Sequence, residues 1–167
     1  RRSPKKRPAG SMFEGKLRLN AEEREAILAA ARAMIPPEGK RTLVNGEEIF
    51  PRKPVAEFDH YLKTEIAGDD GTLRSEYREA RVRLYDALPG ETTHLYEMGI
   101  PVVETGDRWH CDVGQKVPLN MERDNVLPGF RKALLAHVMN AVHEKLTEAE
   151  ASKPWAAQAL ESPLIRP

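Results

Sequence analysis

The sequence predicts an α+β domain, and three observations predict it. Asn45-Gly46 sits between two short apolar-alternating runs, Arg41–Val44 and Glu47–Phe50, and Asn-Gly supplies the positive φ angles of a tight hairpin turn. Phe58–Ile66 and Leu73–Tyr85 flank Gly68-Asp69-Asp70-Gly71 with apolar residues in strand phase, which predicts a longer hairpin. Two stretches carry helical spacing instead: Ala26, Ile27, Ala30, Ala31 and Met34 in the first, and Phe130, Leu134, Val138, Ala141 and Leu146 in the second. The expected architecture is a mixed or antiparallel sheet with about two main helices.

Taken in order, Arg1–Gly10 is basic and holds no apolar side chain larger than alanine, so residues 1–11 read as a flexible basic linker. Met12–Leu19 alternates, with Phe13, Leu17 and Leu19 in phase, and reads as a strand. Asn20 is a good N-cap, and Glu23 stands where its carboxylate can close a capping box. The helix that follows ends at Pro36-Pro37 and must dock its apolar face on a sheet. The second helix is expected at about Gly129–Glu148. Residues 12–148 form the predicted domain. Residues 149–167 form a C-terminal tail, in which Trp155 and Leu160 mark a short helix packing on a neighbouring region. The chain opens without methionine inside a basic stretch, so a piece of a longer protein is expected.

Composition narrows the classes of function. Equal numbers of acidic and basic residues give zero net charge, so a pull toward nucleic acid or anionic lipid must come from a local patch. No apolar run approaches membrane-spanning length, and no signal-peptide core is present, so a cytoplasmic protein is expected. The single Cys111 lies on the apolar face of a strand and reads as a packed thiol. Five scattered histidines give no zinc-ligand spacing, and His137 and His143 read as helix-surface residues.

The stretch His94–Val126 organises the chain. His94–Val103, broken by Gly99 and Pro101, predicts an edge strand or a short extended turn. Arg108–Val113 predicts a half-buried strand, with Trp109, Cys111 and Val113 inward and Arg108, His110 and Asp112 outward. Lys116–Met121 reads as a further extended segment with Val117 and Leu119 on its core side. That leaves Gly114-Gln115-Lys116 on a loop between extended segments. The runs LYEMGIPV, DVGQKVPLN and ERDNV resemble the second, transducer-type domain that follows the nucleotide-binding domain in GHKL ATPases. These are the gyrase, heat-shock chaperone, histidine kinase and MutL superfamily, and the likeness is strongest to a bacterial and phage ATP-binding branch, over roughly residues 13 to 145.

The resemblance implies a ribosomal-protein domain-2-like fold with a left-handed crossover. It also implies that Lys116, beside Gln115 and with Gly114 giving the backbone room, reaches the γ-phosphate of ATP held with magnesium by a preceding ATPase domain. Lysine suits that task as a compact point charge. The chain has no glutamate and asparagine placed on one helix ahead of a DxGxG, and no Walker loop, so it holds no catalytic residue and is not expected to hydrolyse ATP by itself. The function implied is a relay of ATP state to whatever lies downstream. Two rivals remain open. One is a nucleic-acid module using the basic arm and the arginine-rich strand containing Arg74, Arg78, Arg81 and Arg83. The other is a structural or homodimerising domain. Arg123-Asp124 reads as a structural corner capped by Asn120, and Glu97 and Glu104 lack a partner carboxylate for acid-base work.

Overall fold

Asn20 starts the first helix as its chemistry dictates: its side chain accepts the Glu23 amide at 2.9 Å and its own amide donates to the Glu23 carboxylate at 2.8 Å. The computed structural model describes residues 10–122 and 124–165. Most of the basic arm, and Arg123, lie outside the described residues. Helix α1 (Ala21–Arg32) buries none of its residues and lies beside the first small hairpin, where Arg32 pairs with Glu47. The expectation that it docks on a sheet through its apolar face is not met. Residues 12–19 form no strand, and Met12, Phe13 and Leu17 are exposed. Alternation creates an apolar face, but a strand also needs a neighbour to complete its ladder.

The two predicted hairpins are present. Strands β1 (Thr42–Val44) and β2 (Glu47–Ile49) pair antiparallel across Asn45 and Gly46, whose φ angles are 52° and 86°. Strands β3 (Ala56–Ala67) and β4 (Leu73–Asp86) pair from Ala56↔Leu84 to Ala67↔Leu73, and Asp70 holds the turn by accepting from the Thr72 amide and hydroxyl. Three shorter strands, β5 (His94–Glu97), β6 (Ile100–Glu104) and β7 (Trp109–Val113), complete a five-stranded sheet in the order β3-β4-β7-β5-β6. Every pairing is antiparallel except β5 with β7. The sheet is therefore mixed and the class α+β. The chain passes from β5 to β7 through β6, with no helix between them, so this parallel pair has no helical crossover.

His94–Glu104 is a hairpin rather than a single edge strand or turn. Its two-residue turn is Met98-Gly99, with φ of 51° and 82°. Tertiary bonds hold it: the Ile35 amide donates to Gly99 O at 2.8 Å, and a Cβ on residue 99 would collide with that Ile35 carbonyl. Pro101 lies on the edge strand β6, where its missing N–H need not cost a ladder bond. Methionine is a poor residue for left-handed backbone. Met98→Asn is expected to stabilise the fold by about 0.5 to 1 kcal/mol, measured by urea unfolding. An unchanged or lower stability would show that the exposed Met98 side chain contributes contacts worth more than the strain.

Helix α2 (Pro128–Val142) covers one face of the sheet with Phe130, Leu134, Leu135, Val138 and Val142 against Leu62, Val82, Leu84, Leu95 and Val113. It ends six residues short of the expected Glu148. A 3-10 turn at His143–Lys145 follows, then α3 (Glu148–Ala151), capped reciprocally by Thr147 and Glu150, and α4 (Pro154–Leu160). Trp155, Ala156 and Ala159 belong to the same core, and the Trp155 ring meets Trp109 edge-on at 5.8 Å. The segment expected as a tail is thus part of the packed body. Burying the Trp155 ring is worth several kcal/mol, offset in part because its Nε1–H is buried without a hydrogen-bond partner among the described residues.

Strand β7 is covered on both faces, not half-buried. His110 is 1% exposed and Asp112 6%. The cover on their side comes from Ile35, which clusters with Tyr85 and Tyr96, and from the loop carrying Glu91. Tyr96 adds a hydrogen bond from its hydroxyl to Ala33 O at 3.0 Å.

Candidate functional site

The Gly114–Lys116 loop leaves β7 and is tied down at every residue. The Gly114 amide donates to Arg81 O on β4 at 2.8 Å, and a Cβ at residue 114 would lie 3.1 Å from that same oxygen. The two backbones approach closely here, so a side chain at residue 114 would have to displace the Arg81 carbonyl by a few tenths of an ångström. The Gln115 amide group donates to Leu62 O on β3 at 3.0 Å, and the Thr64 hydroxyl donates to Lys116 O at 2.7 Å. The Val117 amide donates to the Glu97 carboxylate on β5 at 2.8 Å. Glu97 is therefore an anchor for this loop.

The Lys116 side chain does not stand free in solvent as expected. Its Nζ lies 3.2 Å from Glu65 Oε2, and the lysine side chain is 32% exposed. Val117 takes the core-facing position at 1% exposure, and Leu119 packs against the core. Lys116–Met121 forms no strand; its one ladder contact is an isolated bridge between Leu119 and Val126. Asn120 closes the turn beyond it, accepting from the Asp124 and Asn125 amides while its own amide group donates to Asp124.

No family model, curated protein or solved structure matches the chain. What the site can do must come from its own geometry.

The arginines of β4 are engaged within the sheet. Arg81 reaches Asp59 at 2.9 Å, Arg83 reaches Glu57 at 2.5 Å, Arg78 reaches Glu76 at 3.0 Å and Arg74 reaches Asp70 at 3.6 Å. A guanidinium already facing a carboxylate must give up that partner before it can bind a phosphate backbone, which weakens the nucleic-acid reading. Cys111 packs against the core, and burial pushes its thiol far above the ordinary range, so it stays protonated and unreactive. His137 is buried rather than on the helix surface, with its ring stacked on His60 at 3.3 Å between centroids. His143 bonds to Asn140 O near the end of α2. Among the described residues no group of three His, Cys, Asp or Glu side chains is placed to hold a metal ion. No helix among them is long and apolar enough to cross a membrane.

One polar network was not legible in the sequence. Glu91 accepts from Arg52 at 2.8 and 2.5 Å, from the Leu88 amide at 2.9 Å and from His110 Nε2 at 3.1 Å. His110 Nδ1 accepts from the His94 amide at 3.1 Å, so Nε2 carries the proton and the ring is neutral. The bonds from Arg52 hold the Glu91 carboxyl down at about 2, and burial holds His110 below its ordinary value. The network joins the Arg52 segment, the 88–91 loop and the buried face of β7.

Proposed function

We propose that this chain is the transducer-type second domain of a GHKL-type ATP-binding protein. In this reading it relays the state of bound ATP from a preceding ATPase domain through Lys116. The observation that carries the reading is the division of labour in the loop. The backbone and Gln115 are fixed to β3, β4 and β5 by separate hydrogen bonds, while the Lys116 ammonium is held by one partly exposed carboxylate. An ammonium so placed can exchange Glu65 for a phosphate oxygen, and any pull on it is passed to three strands at once.

ATP and ADP differ by the γ-phosphate, so a contact to that group supplies the differential affinity that a relay requires. Coupling of this kind amounts to about 1 to 3 kcal/mol. Lys116 is a point charge suited to a terminal phosphate, and Gln115 fixes the loop from which it projects. Nucleotide and magnesium would be held by the preceding domain, with this chain adding one cation to the phosphate end. A cytoplasmic setting goes with that reading.

The test is hydrogen exchange on the full protein carrying both domains, compared with a non-hydrolysable ATP analogue and with ADP. The amides of residues 114–117 are expected to exchange about 5-fold more slowly or slower still with the ATP analogue. Equal exchange in the two states would contradict the relay.

A further inference from the structure

Beyond the body of the sheet, β3 and β4 run on as a two-stranded ribbon whose face opposite α2 is uncovered. Every β4 residue from Leu73 to Glu79 is exposed. Alternate residues share a face, so Tyr61 and Lys63 on β3 stand with their cross-strand partners Glu79 and Tyr77 on the side away from Leu62 and α2. Tyr61 is 63% exposed and Tyr77 71%, and Leu73, 62% exposed, lies further out on the same face. Large apolar and aromatic side chains grouped in this way mark an interaction surface.

The charges on this face decide what covers it. Arg81 pairs with Asp59, Arg83 with Glu57, and Glu65 with Lys116. Lys63 and Glu79 are left over, and among the described residues neither takes an ion pair or a side-chain hydrogen bond. The four side chains form a tile, with the tyrosines on one diagonal and the two opposite charges on the other. One cation against one anion leaves the tile neutral, so a nucleic-acid backbone or a strongly charged peptide does not match it. What matches is a surface bearing the same two charges with their places exchanged, and a second copy turned over about a two-fold axis presents that surface. An axis close to the tyrosine diagonal sets Lys63 of each copy over Glu79 of the other. The tyrosines meet between these contacts, and the strands of the two copies cross steeply, as in orthogonally packed sheets.

We infer that the chain self-associates through this ribbon face, as a two-fold dimer with two Lys63–Glu79 contacts around Tyr61 and Tyr77. The tile and Leu73 bury roughly 1,000 Å² over both copies, at the low end for specific interfaces, so the dimer is weak and concentration-dependent. The inference invokes no nucleotide and stands if the relay reading fails.

Sedimentation equilibrium of the chain from about 5 μM to about 1 mM tests it, and a monomer–dimer equilibrium that weakens with added salt is expected in that range. Tyr77→Ala should weaken dimerisation about tenfold. Lys63→Glu and Glu79→Lys each set like charges face to face at two places, and each should weaken it about tenfold. The double exchange, Lys63→Glu with Glu79→Lys, restores opposite charges and should return the dimer to about its native strength. These positions lie on the surface, so melts of the variants should stay close to that of the native chain. Rescue by the double exchange separates this face from any other self-contact. A chain that stays monomeric throughout the range would overturn the inference and assign the face to a partner of another sequence. A dimer indifferent to Tyr77→Ala and to both single exchanges, or one that the double exchange fails to restore, would overturn it as well.

Discussion

Glu91→Ala is expected to lower the unfolding free energy by about 3 kcal/mol near neutral pH, read from urea melts of both chains. The carboxylate receives two bonds from Arg52, one from the Leu88 amide and one from His110. Removing it leaves a guanidinium only 19% exposed and a histidine 1% exposed without their partner. That loss of pairing, more than the loss of attraction itself, sets the size of the effect. Glu91→Gln retains one acceptor oxygen and should cost less.

The same network fixes the direction of the pH dependence. Glu91 titrates at about 2 in the fold against an ordinary 4.5, so its contribution is present above about 4.5 and is lost as pH falls toward 2. His110 is held below its ordinary 6.5 in the neutral form, so its contribution is present above 6.5 and is lost as pH falls through the lowered value. Both terms have the same sign. Stability should begin to decline below about pH 6.5 and fall more steeply below about pH 4.5, and the steeper limb should flatten in Glu91→Ala. A variant within about 0.5 kcal/mol of the native chain at neutral pH would show that the network carries no net stability.

What was legible in the sequence is what local chemistry decides. Asn45-Gly46 makes its turn from its own backbone preferences, and Asn20 with Glu23 makes its cap from residues three apart. Met98-Gly99 carries no such signal, because that turn is held by Ile35 and Asp112 from elsewhere in the chain. The Met12–Leu19 alternation misled for the complementary reason: its pattern was right for a strand, but no neighbour pairs with it. At the candidate site, the loop position of Lys116 and the core-facing phase of Val117 followed from the pattern. Glu65, 51 residues away, did not. Nor did the role of Gly114, since close approach to Arg81 depends on how β4 and β7 register. His110 and Asp112 alternate correctly with Trp109 and Cys111, but their burial depends on Ile35 closing over a face that periodicity assigned to solvent.

The proposed relay requires Lys116 to meet the terminal phosphate of ATP in the full protein. Removing a charge that faces developing negative charge on a transferring phosphoryl group costs on the order of 2 to 4 kcal/mol of activation free energy. Lys116→Ala should therefore slow ATP turnover roughly 30-fold to 1000-fold. The fold should lose about 1 kcal/mol at most, because the pair with Glu65 is partly exposed. Lys116→Arg should restore turnover only in part, since a planar guanidinium does not replace a point charge at one phosphate oxygen. The decisive measurement is ATP turnover by the full protein for the native, Lys116→Ala and Lys116→Arg forms, with a thermal melt of each. The relay account predicts a large loss, a partial rescue and nearly equal melts. Unchanged turnover in Lys116→Ala with an unchanged melt would contradict it and leave Lys116 a surface lysine paired with Glu65.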